Sequence, residues 1–133
     1  MTLAEIEKQL PNGLHDADLK AFAVDLANGK LILEIDVDYS SAEPPAADLD
    51  LHTVKITVTG LCYFKIDPPD LLNGYAVAAA SDIDAGDDPV QKFLVDAAVA
   101  KRLPQGSFLH WIFLSAWNSI MVIGGMDARI TEK

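Results

Sequence analysis

Cysteine is nearly absent from the chain, because Cys62 is the only one among 133 residues. A lone cysteine excludes an internal disulfide and any zinc site built mainly from thiolates. A chain of this length can bury roughly two thirds of its unfolded surface without disulfides or metals. We therefore expect one domain, residues 1–133, that is stabilised by an apolar core.

Basic residues are also scarce, since 10 lysines and arginines stand against 20 aspartates and glutamates and give a formal net charge of −10. Such a surface repels polyanions, so nucleic acid and anionic membranes are not expected as partners. A basic protein partner fits this charge. Solubility alone is the other explanation that the composition leaves open.

Long apolar runs are missing as well, and none approaches the ~18 residues that a membrane span requires. The first ten residues, MTLAEIEKQL, have neither the basic region nor the apolar region of a secretory signal. The sequence therefore predicts a cytoplasmic protein that does not enter a membrane.

Two local patterns are clear near the N-terminus. Thr2 and Glu5 have the spacing of a capping box, which predicts a short N-terminal helix. Asn28-Gly29 lies between two alternating apolar segments and predicts a hairpin with a type I′ turn. That turn would place Phe22 opposite Ile35 and give both central residues a positive φ.

The rest of the chain predicts further strands and one helix. Residues 52–67 indicate one long strand bent at Gly60, or a second hairpin there. A loop is expected over 40–50 and a strand over 75–83. Asp88 and Pro89 predict the start of a helix over 89–103. The predicted fold is α+β, with a curved, mostly antiparallel sheet of about six strands, a short N-terminal helix and one helix near 89–103.

The C-terminal segment predicts two strands around SAWNS, and the first of them is apolar on both faces. One face carries Phe108, Ile112 and Leu114, and the other carries Leu109, Trp111 and Phe113. The second face needs a cover, which either the 89–103 helix or another subunit would supply. A homodimer follows if the helix packs elsewhere.

His15 and Asp16 form the first candidate site. An imidazole beside a carboxylate can act as an acid–base pair or bind a metal. On an extended chain, however, neighbouring side chains point to opposite faces. This favours a structural role, in which the pair ties a turn to the sheet, over a ligand contact or a catalytic role.

Two other groups of residues are candidates for binding. Glu34, Asp36 and Asp38 line one face of a predicted strand, which is either solvated or receives a basic partner. Trp117 and Asn118 lie at the tip of the C-terminal hairpin, where the tryptophan contacts a partner or caps the core.

Other motifs do not indicate catalysis or a cofactor. His110 is expected to be a satisfied buried histidine, and the calcium-like SDIDAGDDP lacks ligands that an EF-hand requires. The chain has no Gly-rich phosphate loop, nucleophile elbow, CxxC pair or HExxH helix. We therefore expect no cofactor, no metal and no catalytic residues.

Two segments carry a resemblance, LHDADLKAFAVDLANGKLILEIDV and LPQGSFLHWIFLSAWNSIMVIGGMDARI. They are similar to small bacterial proteins with an N-terminal LHDA element, some of which resemble immunity proteins of polymorphic toxin systems. The resemblance implies a β-rich α+β fold and no defined catalytic residues.

These observations favour a non-enzymatic, immunity-like domain that binds a basic protein through an acidic surface. One alternative is a small hydrolase or metal-binding protein that uses His15 and Asp16. Another is a homo-oligomeric structural module that associates through its C-terminal strands.

Overall fold

The computed structural model describes residues 1–40, 50–70 and 82–132, and within these it has an α+β fold. The predicted 40–50 loop and 75–83 strand lie mostly outside the described residues. The described part has two helices and eight strands rather than about six. The helices are α1 (Leu3–Gln9) and α2 (Ala97–Ala100). The strands are β1 (Asp18–Asp25), β2 (Lys30–Asp38), β3 (Leu51–Thr59), β4 (Tyr63–Ile66), β5 (Ile83–Gly86), β6 (Phe108–Leu114), β7 (Ser119–Gly125) and β8 (Asp127–Glu132).

The strands form two four-stranded sheets instead of the single curved sheet that we expected. Sheet A has the order β1-β2-β3-β8, and sheet B has the order β4-β7-β6-β5. All of these pairings are antiparallel. Nonpolar side chains of both sheets, together with Leu3 and Ile6 of α1, form one buried core cluster. No helix in the described part of the chain is long and apolar enough to cross a membrane.

A bend at Gly60 carries the chain from sheet A to sheet B. The predicted long strand is divided into two, since β3 pairs with β8 and β4 pairs with β7 in different sheets, and the two do not form a hairpin with each other. Gly60 has a φ of +61°, and a Cβ there would lie 2.7 Å from Cγ of Met126. The bend therefore requires glycine, both for its backbone conformation and for close packing.

The N-terminal hairpin forms where the sequence predicts it, but with a different turn and register. The loop has four residues, Leu26 to Gly29, and Asp25 pairs with Lys30. Phe22 consequently lies opposite Leu33, two residues away from the predicted Ile35. Gly29 has the expected positive φ of +59°, but Asn28 is not among the residues with positive φ. The two-residue shift leaves the inward face unchanged, because strand side chains alternate with a period of two.

The predicted 89–103 helix is reduced to the single turn of α2. Phe93 has a φ of +60°, which is incompatible with continuation of a right-handed helix. The side chain of Asp96 then accepts a hydrogen bond from the amide of Ala98 and caps a new helical start. The positive φ of Phe93 and the new cap at Asp96 therefore prevent one continuous helix over residues 89–103.

The C-terminal pair of strands is confirmed as β6 and β7. Phe108 and Ile112 face the core, and Trp111 on the opposite face is half-buried. The indole nitrogen of Trp111 donates to Asp88 at 2.7 Å, and Nζ of Lys92 lies 5.5 Å from the ring centroid. The chain thus covers Trp111 with its own segment before α2.

Candidate functional site

His15 lies on an exposed corner between the two sheets. Residues 11–16 form turns, and Asp16 has a φ of +60°, so the two residues are not on an extended strand as we had assumed. Their side chains approach each other, with 3.4 Å between Nε2 of His15 and Oδ2 of Asp16. Nδ1 of His15 lies 3.2 Å from Oδ1 of Asp84 on β5. The hydrogen bond with Asp84, and then the charges of Asp16 and Asp84, raise the pKa of His15.

Four aspartates meet at this corner, which we call the acidic corner: Asp16, Asp18, Asp82 and Asp84. The backbone brings them together, because the amide of Asp16 donates to the carbonyl of Ile83 and residues 18 and 82 form a β-bridge. A hydrogen bond with Asp18 raises the pKa of Asp82, and its burial and the charges of Asp18 and Asp16 add to the shift. In the described ranges, no lysine or arginine forms an ion pair with Asp16, Asp82 or Asp84.

The predicted acidic strand face exists, but two of its members, Glu34 and Asp36, have neighbours of opposite charge within the sheet. Asp36 accepts a hydrogen bond from Thr53 at 2.6 Å and lies 3.5 Å from Nζ of Lys20. Glu34 lies directly opposite Lys55 in the register of β2 and β3. Cross-strand neighbours of opposite charge stabilise a sheet, so this face has a structural role of its own.

Asp38, the third member of that face, organises the end of β2. Its carboxylate accepts hydrogen bonds from the amide and the hydroxyl of Ser40, and a longer one from the amide of Asp50. The hydrogen bonds from Ser40 lower the pKa of Asp38, and the bond from its backbone amide has the larger effect. Asp38 therefore connects the two ends of the segment that leaves β2 and returns to β3.

Trp117 and Asn118 form the tip between β6 and β7. Asn118 adopts a left-handed conformation with a φ of +45°, which asparagine tolerates better than most residues. Its side-chain amide donates to Asp70 at 3.2 Å. Trp117 is 37% exposed, so part of the indole is accessible at the tip.

His52 holds a second histidine–carboxylate cluster, at the β8 edge of sheet A, which the sequence did not indicate. Its Nδ1 lies 2.9 Å from Glu132, and its Nε2 lies 3.0 Å from Asp50. The imidazole also packs on Tyr39, with ring centroids 4.5 Å apart. Because β1 is the opposite edge of the same sheet, this cluster is separate from the acidic corner.

A groove lies between α1 and the end of β5, and His110 lines it. His110 is buried as expected, at 1% exposure, and its Nε2 lies 2.7 Å from Oε1 of Glu7. A carboxylate only accepts hydrogen bonds, so the ring donates from Nε2. The groove has a volume of about 260 Å³. Its lining residues are Ala4, Glu7, Lys8, Gly13, Gly86, Asp87 and His110.

Local sequence patterns do not predict this groove. Glu7 and His110 are 103 positions apart, and no local motif connects them. The only signal is that Glu7 follows the buried Leu3 by four residues on α1, which places it on the border of the buried face.

Within the described residues, no group of three or more His, Cys, Asp or Glu side chains could hold a metal ion. The acidic corner and the groove are neighbours along the chain, because Gly13, Gly86 and Asp87 line the groove and His15, Asp16 and Asp84 meet at the corner. No protein-family model, curated protein or solved structure matches the chain. The geometry and charge of these two features therefore carry the functional proposal.

Proposed function

We propose that this chain is a non-enzymatic, immunity-like domain that binds a basic protein partner through the acidic corner. The single observation behind this proposal is the gathering of four aspartates at the acidic corner, where His15 contacts two of them, Asp16 and Asp84. The hydrogen bond with Asp18 is the main cause of the raised pKa of Asp82, followed by burial and by the charges of Asp18 and Asp16. Like charges at short range also destabilise a fold through their repulsion. Cationic side chains of a partner would relieve it.

The charge of the whole molecule supports the same partner. A net charge of −10 accelerates the encounter with a basic protein and repels acidic competitors. On the outer face of β2, Asp36 bonds to Thr53 and lies near Lys20. At the acidic corner, the described ion pairs of Asp16 and Asp84 are with His15 alone. The corner is thus the better surface for a partner's charges.

The exposure of His15 favours a contact role over the alternative of hydrolysis or metal binding. Its side chain is 68% exposed, and acid–base groups gain most from a site that excludes water. The proposal includes a cytoplasmic location, in which Cys62 remains a thiol.

The proposal can be tested with defined peptides in place of the unidentified partner. Isothermal titration at low salt would compare a lysine- and arginine-rich dodecapeptide with a glutamate-rich one. We expect the basic peptide alone to bind, and we expect the double variant Asp82→Asn/Asp84→Asn to weaken it by about fivefold or more.

The matched control is Asp50→Asn/Glu132→Gln, which removes the same charge beside the other exposed histidine, His52. This variant should bind the basic peptide nearly as well as the unaltered protein. Equal weakening by both double variants would show that net charge alone attracts the peptide, and the proposed surface would then be wrong.

A further inference from the structure

The groove beside the acidic corner contains a carboxylate that is fixed in position. Glu7 is 23% exposed, and the buried ring of His110 holds its Oε1 at 2.7 Å. A side chain held in this way offers its remaining lone pairs in one direction, and a ligand loses less conformational freedom in binding to it. The geometry of the groove is therefore partly set before any ligand arrives.

The second oxygen of Glu7, Oε2, is not the one that His110 holds. Among the described residues, none donates a hydrogen bond to it. A Cβ added at Gly13 would lie 3.9 Å from Oε2 and would meet no side chain other than that of Glu7. The absence of a side chain at Gly13 thus leaves room for a ligand atom next to this oxygen.

The other charges of the groove favour a cation. Asp87 lines the groove together with Glu7, and Asp84 of the acidic corner precedes it on the same segment of chain. Lys8 also lines it, but its ammonium group has no ion pair among the described salt bridges, and its long stem can turn toward solvent. The fixed charge of the groove is therefore negative.

We infer that the groove binds the guanidinium group of an arginine that the basic partner presents. This inference rests on the proposed function and adds the side chain that the groove recognises. A guanidinium is planar and has five N–H donors, so it can bond to more than one carboxylate oxygen, and both Glu7 and Asp87 line the groove. It is also more weakly hydrated than an ammonium group and enters a half-buried groove at lower cost.

The direct test is a titration with N-acetyl-arginine amide, followed through the side-chain NMR signals of the three histidines. We expect a saturable shift of the His110 signal at millimolar concentrations. N-acetyl-citrulline amide has nearly the same shape without the charge and should cause no such shift. N-acetyl-lysine amide should bind at least about threefold more weakly, because its compact ammonium group is more strongly hydrated and lacks the planar fork of donors of a guanidinium.

Two variants connect this signal to the groove. Glu7→Gln removes the charge and keeps a hydrogen-bond acceptor for His110, and it should weaken the arginine probe by about tenfold. Glu132→Gln is the matched control, since it removes the same charge from a glutamate that also bonds a histidine. Ala4→Met leaves Glu7 intact and fills the groove from the helix, so it should weaken binding even if Glu7→Gln disturbs the fold.

The inference is overturned if the arginine and citrulline probes act alike, or if Glu7→Gln and Ala4→Met both leave the affinity unchanged. It is also overturned if Glu7→Gln and Ala4→Met bind the basic dodecapeptide normally while Asp82→Asn/Asp84→Asn does not. In that case the proposed function is still supported. If the dodecapeptide fails to bind the unaltered protein, the proposed function is the part that fails.

Discussion

At the scale of single residues, the contact between Asp18 and Asp82 brings two carboxyl groups together, which is unfavourable when both are ionised. The pKa of Asp82 is raised because its carboxyl shares a hydrogen bond with Asp18. The folded protein therefore holds this proton more tightly than the unfolded chain does. The stability that the shared proton provides is present below the ordinary carboxyl pKa and is lost as the pH rises through the raised value.

The first prediction follows from this loss of stability with rising pH. Asp82→Asn replaces the carboxylate with an amide that can still bond to Asp18, so it should raise the melting temperature at pH 7, by on the order of 1 °C or more. The gain should disappear near pH 3.5, where Asp82 carries its proton. Thermal unfolding followed by circular dichroism at both pH values measures this directly.

A matched control is Asp67→Asn, because Asp67 lies 3.8 Å from Nζ of Lys65 and has a favourable charge partner. That variant should not raise the melting temperature at either pH. Destabilisation of Asp82→Asn at pH 7 would show that the charge of Asp82 supports the fold, contrary to our reading of the acidic corner.

At the scale of elements, the sequence predicts where the β1–β2 turn lies but not its length or its conformation. The glycine of the β1–β2 loop is where the sequence puts it, yet Asp25 accepts hydrogen bonds from the backbone and side-chain amides of Asn28. This local bonding competes with a type I′ turn and enlarges the loop to four residues. The helical spacing after Asp88 also fails to predict the structure, because Phe93 has a left-handed conformation that ends the helix. No sequence pattern indicates that conformation.

The second prediction concerns this loop. Gly29→Val places a branched side chain at a φ of +59°, and it should lower the free energy of unfolding by about 1 to 2 kcal/mol. Ala27→Val adds similar bulk in the same exposed loop, at a residue without positive φ, and should be nearly neutral. Urea denaturation of both variants distinguishes backbone strain from a general effect of bulk. Similar losses in the two would exclude the backbone explanation.

At the scale of the whole molecule, the α+β class followed from strand alternation and the capping box, whereas the division into two sheets did not. Strand pairing between β3 and β8 or between β4 and β7 joins distant parts of the chain, and alternation is the same in either arrangement. The groove has the same origin, since Glu7 and His110 meet only when α1 packs near β6. Sequence patterns identify faces, but tertiary packing decides which faces meet.

The last prediction concerns association of the whole chain. The sequence favoured a dimer because the outer face of β6 needed a cover, but the residues from Gly86 to Lys92 supply one for Trp111. We therefore expect light scattering at micromolar concentration to give the monomer mass of 14.4 kDa. The double variant Asp88→Ala/Lys92→Ala removes both polar contacts to the indole and should increase association, because apolar surface is then exposed. A dimer mass for the unaltered protein would instead identify this face as an interface between two copies.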